Sequence, residues 1–154
     1  MIQIKQGNLF EEKTQALVNA VNCFGVMGKG IALQFKKNYP DNFKAYKQVC
    51  DNNQLQPGQI FIYDQGLSKN PRYIINFPTK KHWRNKSKLV DIEVGLKTLV
   101  LKIQQHQIKS IAIPPLGCGN GGLNWNIVKL LMIETLKSLP EVEIIIFEPF
   151  LAKG

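Results

Sequence analysis

The chain has 154 residues, 44% of them hydrophobic and 20% charged, which fits one globular domain and excludes the collagen-like and disordered classes. Twenty Lys and Arg against eleven Asp and Glu give a net charge of +9, a surplus that points to a polyanionic partner: nucleic acid, a nucleotide or an acidic protein. No apolar run reaches the ~20 residues of a membrane helix, the first residues show no signal-peptide layout, and Cys23, Cys50 and Cys118 form neither an even disulfide set nor a metal motif, so a cytoplasmic protein is expected.

Ile2–Gln6 alternates apolar and polar residues as a half-buried strand does, and Gly7-Asn8 ends it. Ala16–Val21 is short, apolar and partly β-branched, which predicts a central strand. Gly28-Lys29-Gly30 opens a helix carrying Ile31, Leu33 and Phe35, and Pro40-Asp41 opens another with Phe43, Tyr46, Val49 and Cys50 at helical spacing. Gln59–Tyr63 and Tyr73–Phe77 read as strands. Ser87 is expected to cap a helix running to about Gln107, with Leu89, Ile92, Leu96, Leu99, Val100 and Ile103 in one stripe. Ser110–Ile113 is a buried strand. Asn124 is expected to cap a helix whose inner face uses Ile127, Leu130, Leu131, Ile133 and Leu136, and Val142–Phe147 is the last strand.

No repeat, linker or low-complexity tract divides the chain, so residues 1–154 read as one domain. Alternating strands and helices predict an α/β fold of three layers, α/β/α, around a mixed, mostly parallel sheet. In such folds ligands sit where loops leave the carboxyl ends of strands. Two glycine-rich loops fall there, Asn22–Gly30 and Pro115–Leu123. Glycine lets backbone N–H groups converge on a cavity, and a following helix N-terminus favours a phosphate. Two such loops would grip a pyrophosphate. Neither fits the Walker A spacing, and Gly25, Gly28 and Gly30 stand in the wrong order for a dinucleotide fingerprint. One glycine-rich turn is often only a tight connection, so the loops name a phosphate ligand and not a reaction.

Gly7-Asn8-Leu9, Val18–Asn22, Met27–Ala32 and Pro115–Gly119 together resemble the macrodomain family, in order and spacing over nearly the whole chain. Asn76-Phe77-Pro78-Thr79-Lys80, running into Lys81-His82-Trp83-Arg84, is most similar to its DNA ADP-ribosyl glycohydrolase (DarG) branch. The resemblance implies an ADP-ribose cleft and an antitoxin that removes ADP-ribose from thymidine in single-stranded DNA, where a DarT-type transferase toxin had placed it. It implies no cofactor and no metal. Members of that branch carry a further region after the macrodomain, so these residues are expected to be part of a longer protein, and a monomer.

Carried over residue by residue, the resemblance puts Asn8 where the family has an adenine-reading aspartate, and a carboxamide oxygen can accept the same hydrogen bond. Leu9 would offer its amide to adenine and Asn22 would meet the distal ribose. Gly28, Lys29, Gly30 and Ile31 would form the first phosphate loop, and Gly117, Cys118, Gly119, Asn120, Gly121, Gly122 and Leu123 the second. Phe147 is either adenine's aromatic neighbour or strand-end core. Lys80 resembles the branch's catalytic lysine. Its amine would trap the ribose anomeric carbon or help open the sugar, for which it must be partly neutral near pH 7. Burial and the neighbours Lys81 and Arg84 are expected to lower its pKa. A lysine-dependent relative carries an aspartate in the second loop where this chain has Asn120-Gly121-Gly122, which leaves water, a substrate hydroxyl, His82 or His106 as proton source.

Lys81, His82, Trp83 and Arg84 are the candidate DNA contacts, cations for phosphates and an indole face for a base. A solvated helix-entry loop is the competing account. The cysteines read as structural, since no basic partner lies nearby in sequence. The readings kept beside the hydrolase are a non-catalytic ADP-ribose-binding module, a hydrolase of protein-linked ADP-ribose or O-acetyl-ADP-ribose, and a plain nucleic-acid-binding domain.

Overall fold

The computed structural model describes residues 1–150. Six strands, β1 (Ile2–Lys5), β2 (Ala16–Val21), β3 (Phe61–Asp64), β4 (Tyr73–Pro78), β5 (Ser110–Ile113) and β6 (Glu143–Phe147), alternate with four helices, α1 (Gly30–Asn38), α2 (Pro40–Asp51), α3 (Leu89–Gln105) and α4 (Trp125–Leu136). The strands form one sheet in the order β1-β6-β5-β2-β4-β3. Every pair is parallel except β3–β4, where Phe61 lies opposite Asn76 and Asp64 opposite Tyr73. The expected layering and the mixed, mostly parallel sheet are therefore present.

Side chains of a strand alternate between faces, and here both faces are covered. Ala16, Val18, Ile75, Phe77, Ile111, Ile113, Ile144 and Ile146 pack with α3 and α4, while Leu17, Ile74, Ala112 and Ile145 pack with Phe35 of α1. Tyr46 and Cys50 of α2 join Val21, Cys23 and Met27 in a third cluster beneath the first glycine loop. Burial on both faces explains why β2, β4 and β5 read as continuous apolar runs.

The structure differs from the sequence expectation at β3, which runs Phe61–Asp64 and not Gln59–Tyr63, at both ends of α3 and on the inward face of α4. Ser87 does not cap α3: the N-cap is Lys88, whose side chain makes no capping bond, and Ser87 is buried with its N–H donating to the Gly121 carbonyl at 3.0 Å. The same helix ends at Gln105, because Gln107 turns into the left-handed region at φ 53°. On α4 the buried stripe is Val128, Met132 and Leu136, whereas Ile127 and Leu130 are 54% and 62% exposed. The segment from Trp125 to Ile133 is apolar at nearly every position, so its periodicity does not fix which side turns inward. Asn124 does cap α4, its Oδ1 accepting from the Asn126 N–H at 2.9 Å.

Candidate functional site

The carboxyl ends of β1, β6, β5, β2 and β4 lie on one edge of the sheet, since these strands run parallel. β2 and β5 are neighbours, but their ladder holds only Ala16–Ile111 and Leu17–Ala112, so Val18–Val21 run on without a partner on that side. The chain leaving β2 turns to the face covered by α1 and α2, and the chain leaving β5 turns to the face of α4. Strands that part and send their helices to opposite faces open a crevice between them. Both glycine loops lie at it.

Asn22 organises the first loop. Its Oδ1 accepts from the Phe24 N–H at 2.9 Å and the Val26 N–H at 3.5 Å, and its Nδ2 donates to the Val26 carbonyl at 2.7 Å. The Tyr46 hydroxyl lies 2.8 Å from the Asn22 carbonyl and 2.9 Å from Oδ1, so a buried phenol of α2 fixes the loop from below. The expected ribose contact thus has only the second Nδ2 hydrogen left to make it. The loop ends at α1, where Gly30 adopts φ 57° and Lys29 makes no capping bond. The first amides of α1 are left for a ligand.

In the second loop the Leu123 N–H donates to the Gly117 carbonyl at 2.9 Å and the Gly122 N–H to the Gly119 carbonyl at 3.3 Å. Gly117 stands at φ 74° with Leu123, Ser87 and Ile92 packed where a Cβ would project. At α4, by contrast, the Asn126 and Ile127 amides are taken by the Asn124 side chain, so they are not left for a ligand. The loops face each other: a Cβ on Gly30 would lie 3.8 Å from the Asn120 Nδ2.

Lys80 follows β4 after one intervening residue, Thr79. The Thr79 N–H donates to the Val21 carbonyl at 2.9 Å and the Cys23 N–H to the Lys81 carbonyl at 2.8 Å, so Lys80 is pinned between two bonds to the start of the first loop. It is half-buried and Lys81 is exposed, as opposite orientations along an extended backbone require. Burial, then the ammonium groups of Lys86 and Lys29, hold the Lys80 amine below its ordinary pKa. Burial was expected; the two neighbours were not, since the sequence pointed to Lys81 and Arg84. The structure brings Lys29 from the first loop and Lys86 from the segment before α3 instead.

Asn8 is exposed and its Oδ1 accepts from the Phe10 N–H at 3.0 Å, capping a short 3-10 turn over Leu9–Glu11. This occupies one of the oxygen's lone pairs. Leu9 and Phe147 are both buried and pack in one cluster with Phe35, which places Phe147 in the core at the crevice edge.

The segment after Lys80 forms an aromatic ladder. Phe24 meets the His82 ring edge-on at 4.4 Å, His82 stacks on Trp83 at 5.1 Å, and the Arg84 guanidinium lies 4.5 Å from the Trp83 ring centroid. The indole expected to meet a base thus carries His82 and Arg84 as neighbours while staying 41% exposed, and Phe24, which is 57% exposed, ends the ladder on the loop side. Sequence reading missed Phe24 because its partner lies 58 positions away, from 24 to 82. The His82 Nδ1 accepts from the Arg84 N–H at 3.0 Å, which leaves the ring proton on Nε2. His106 packs on Tyr73, at the opposite end of β4 from Lys80, and is removed from the site. Burial pushes the Cys23 thiol up to about 12 and the Cys118 thiol to about 11, so neither is a nucleophile near neutral pH. Among the described residues no three His, Cys, Asp or Glu side chains form a metal cluster, and no helix is long and apolar enough to cross a membrane.

The Macro domain family model matches residues 18–132. The DNA ADP-ribosyl glycohydrolase of Thermus aquaticus is 54% identical over 97% of this chain and 41% of its own length. The macrodomain of Mycobacterium tuberculosis DarG is 49% identical with a TM-score of 0.95, covering 97% of this chain and 99% of that one. Thermosipho africanus DarTG in complex with ADP-ribose superposes with a TM-score of 0.91 at 34% identity, covering 99% of this chain and 43% of that one. The chain thus spans about two fifths of the length of the curated relatives it matches.

Proposed function

This chain belongs to the macro domain family, and on that footing we propose that it is a metal-independent, lysine-dependent hydrolase that removes ADP-ribose from DNA, with thymidine as the modified nucleoside. The observation that carries the reading is Lys80: an amine held below its ordinary pKa at the rim of a crevice between two facing glycine loops. In it the diphosphate lies against the free amides of Gly30 and Ile31 and against the second loop at Gly119–Gly121, with the distal ribose toward Lys80. The names of the relatives in Thermus aquaticus and Mycobacterium tuberculosis, both DNA ADP-ribosyl glycohydrolases, support DNA as the substrate. A Thermosipho africanus relative, 34% identical, is a fusion of a DNA ADP-ribosyl transferase with such a glycohydrolase, which supports a DarT-type transferase as the partner whose modification is reversed.

The chemistry follows from the amine's state. A neutral Lys80 Nζ attacks the anomeric carbon of the distal ribose, a C–N bond to lysine forms, and the bond from that carbon to the base nitrogen breaks with its electron pair leaving on the base. A proton is then needed at the base, and a water then releases ADP-ribose and returns the amine. Asn120 is a carboxamide and supplies no acid. The proton that Nζ releases once its bond to carbon has formed, carried by water at the cleft mouth, is the source at hand. The depressed pKa matters because an ammonium has no lone pair, and the two neighbouring cations enlarge the neutral fraction near pH 7.

The test is a time course on an oligonucleotide carrying ADP-ribosylated thymidine, wild type beside Lys80→Ala, with ADP-ribose affinity measured for both. Loss of turnover by at least a hundredfold with ADP-ribose affinity kept is expected. A wild type that binds ADP-ribose without turning over the oligonucleotide would be a reader and not an enzyme. Faster release from a glutamate-linked substrate would move the assignment to protein-linked ADP-ribose.

A further inference from the structure

Phe24 is 57% exposed and belongs to none of the three apolar clusters of the core. A single exposed apolar residue is ordinary; what distinguishes this one is its place. The Thr79 N–H donates to the Val21 carbonyl and the Cys23 N–H to the Lys81 carbonyl, so the two chains stay paired past the ends of β2 and β4. Lys80 lies between these bonds. Phe24 and His82 each follow one partner of the outer bond, and their rings meet at 4.4 Å with 60° between the planes. From Lys80 to His82 is two positions, a span of about 7 Å in extended chain. Trp83, itself partly exposed, continues the row from His82. Lys81 and Arg84 stand beside it with no carboxylate within ion-pairing distance among the described residues. The Phe24 N–H is held by the Asn22 Oδ1, so the backbone that carries the ring is fixed without help from the ring.

The rim beside the amine thus carries two exposed rings and two unpaired cations, brought together from two segments of the chain. Aromatic rings interleaved with cations are what single-stranded nucleic acid binds. Resting on the proposed hydrolase reading, we propose that Phe24 is a specificity-determining residue whose ring is the shelf on which the nucleobase bonded to the distal ribose stacks. That base must lie beside Lys80, because the bond to be broken joins it to the carbon that the amine attacks. A planar base offers its π-face to the ring, and one such stack is worth roughly five- to a hundredfold in affinity. A carboxylate-linked ADP-ribose presents only an aliphatic side chain at that carbon and gains nothing from the shelf, so Phe24 favours the DNA-linked substrate. A modified base in a single strand leaves its own stack at small cost. Thymine is neutral, so seating it there brings no charge to Lys80 and leaves the amine below its ordinary pKa.

The experiment measures steady-state kinetics on an oligonucleotide carrying ADP-ribosylated thymidine for wild type, Phe24→Ala, Phe24→Leu and Phe24→Tyr. Free ADP-ribose, which has no base at its anomeric carbon, is titrated into each. Alanine and leucine lower kcat/KM about tenfold, through KM and not kcat, since a stack made equally in substrate and transition state is lost from both. Tyrosine, which keeps the ring, stays within about twofold of wild type. All three bind free ADP-ribose as wild type does and melt near it, because an exposed ring outside the core contributes little to stability. Wild-type kcat/KM in the alanine variant overturns the shelf. So does a leucine variant that matches wild type, a tyrosine variant that falls with alanine, or an equal loss for free ADP-ribose. Absence of turnover by wild type removes the hydrolase reading, and binding then decides the shelf. ADP-ribosylated thymidine must in that case bind wild type about tenfold tighter than free ADP-ribose and lose the margin in Phe24→Ala; no margin, or one that survives the substitution, overturns it.

Discussion

Gly30 and Gly117 both adopt left-handed backbone, at φ 57° and 74°, yet alanine at the two positions should fail in different ways. A non-glycine residue in that conformation costs about 1–2 kcal/mol. At Gly30 little else opposes the new methyl group, whose nearest neighbour would be the Asn120 Nδ2 at 3.8 Å, an ordinary contact. At Gly117 the methyl would meet Leu123 Cδ1 at 2.8 Å, Ser87 Cβ at 3.2 Å and Ile92 Cδ1 at 3.3 Å, and such overpacking adds about 1–3 kcal/mol. With roughly 2–4 °C of Tm per kcal/mol for a domain of this size, Gly30→Ala should melt a few degrees below wild type. Gly117→Ala should melt on the order of 10 °C below. Ligand binding reverses the order of interest. The Gly30 methyl enters the gap between the loops, where the diphosphate is proposed to lie, so ADP-ribose affinity measured by titration calorimetry should fall at least tenfold, equivalent to about 1.4 kcal/mol. A Gly30→Ala protein that melts near wild type and binds ADP-ribose as well as wild type would show that no diphosphate lies between the loops.

Removing the Lys29 ammonium (Lys29→Ala) raises the Lys80 pKa toward its ordinary value, so the rising limb of kcat/KM against pH should move to more alkaline pH. A pH–rate series showing no shift would refute the coupling. The same sign applies to folding. A lowered Lys80 pKa disfavours the charged form, so the penalty is fully present below the folded pKa and disappears as pH rises through the ordinary lysine value; Lys80→Met should therefore melt no lower than wild type at pH 7, with the difference shrinking above pH 10. Gly95→Ala on α3 drives a methyl into the Phe77 ring and should cost about 1–3 kcal/mol by denaturant titration. Cys23, with its thiol pushed up to about 12, should resist alkylation at pH 7.5 in the folded protein, and rapid inactivation by iodoacetamide would contradict its burial.

The sequence alone determined what nearest neighbours along the chain encode. β2, β4 and β5 declared themselves as short apolar runs, Asn124 as a cap, and the two glycine loops by composition. Lys80 was singled out by its resemblance to the catalytic lysine of the DNA ADP-ribosyl glycohydrolase branch, not by any local pattern of its own. Other features required elements to be placed against one another. The crevice exists because the β2–β5 ladder ends after Leu17 and Ala112, a matter of strand divergence that no local pattern records. Asn19, Asn42 and Asn76 are buried together, the Asn76 Nδ2 donating to the Asn42 Oδ1 at 2.8 Å, although polar residues in separate segments give no sign of pairing. Lys29 and Lys86 act on Lys80 across loops, Phe24 reaches His82 from the neighbouring chain that leaves β2, and Ser87 turns from a helix cap into a buried hydroxyl because α3 starts at Leu89. Periodicity and turn chemistry are short-range, so they survive in a one-dimensional reading. Helix rotation, strand divergence and charge proximity are set by packing, and packing exists only once the chain has closed on itself.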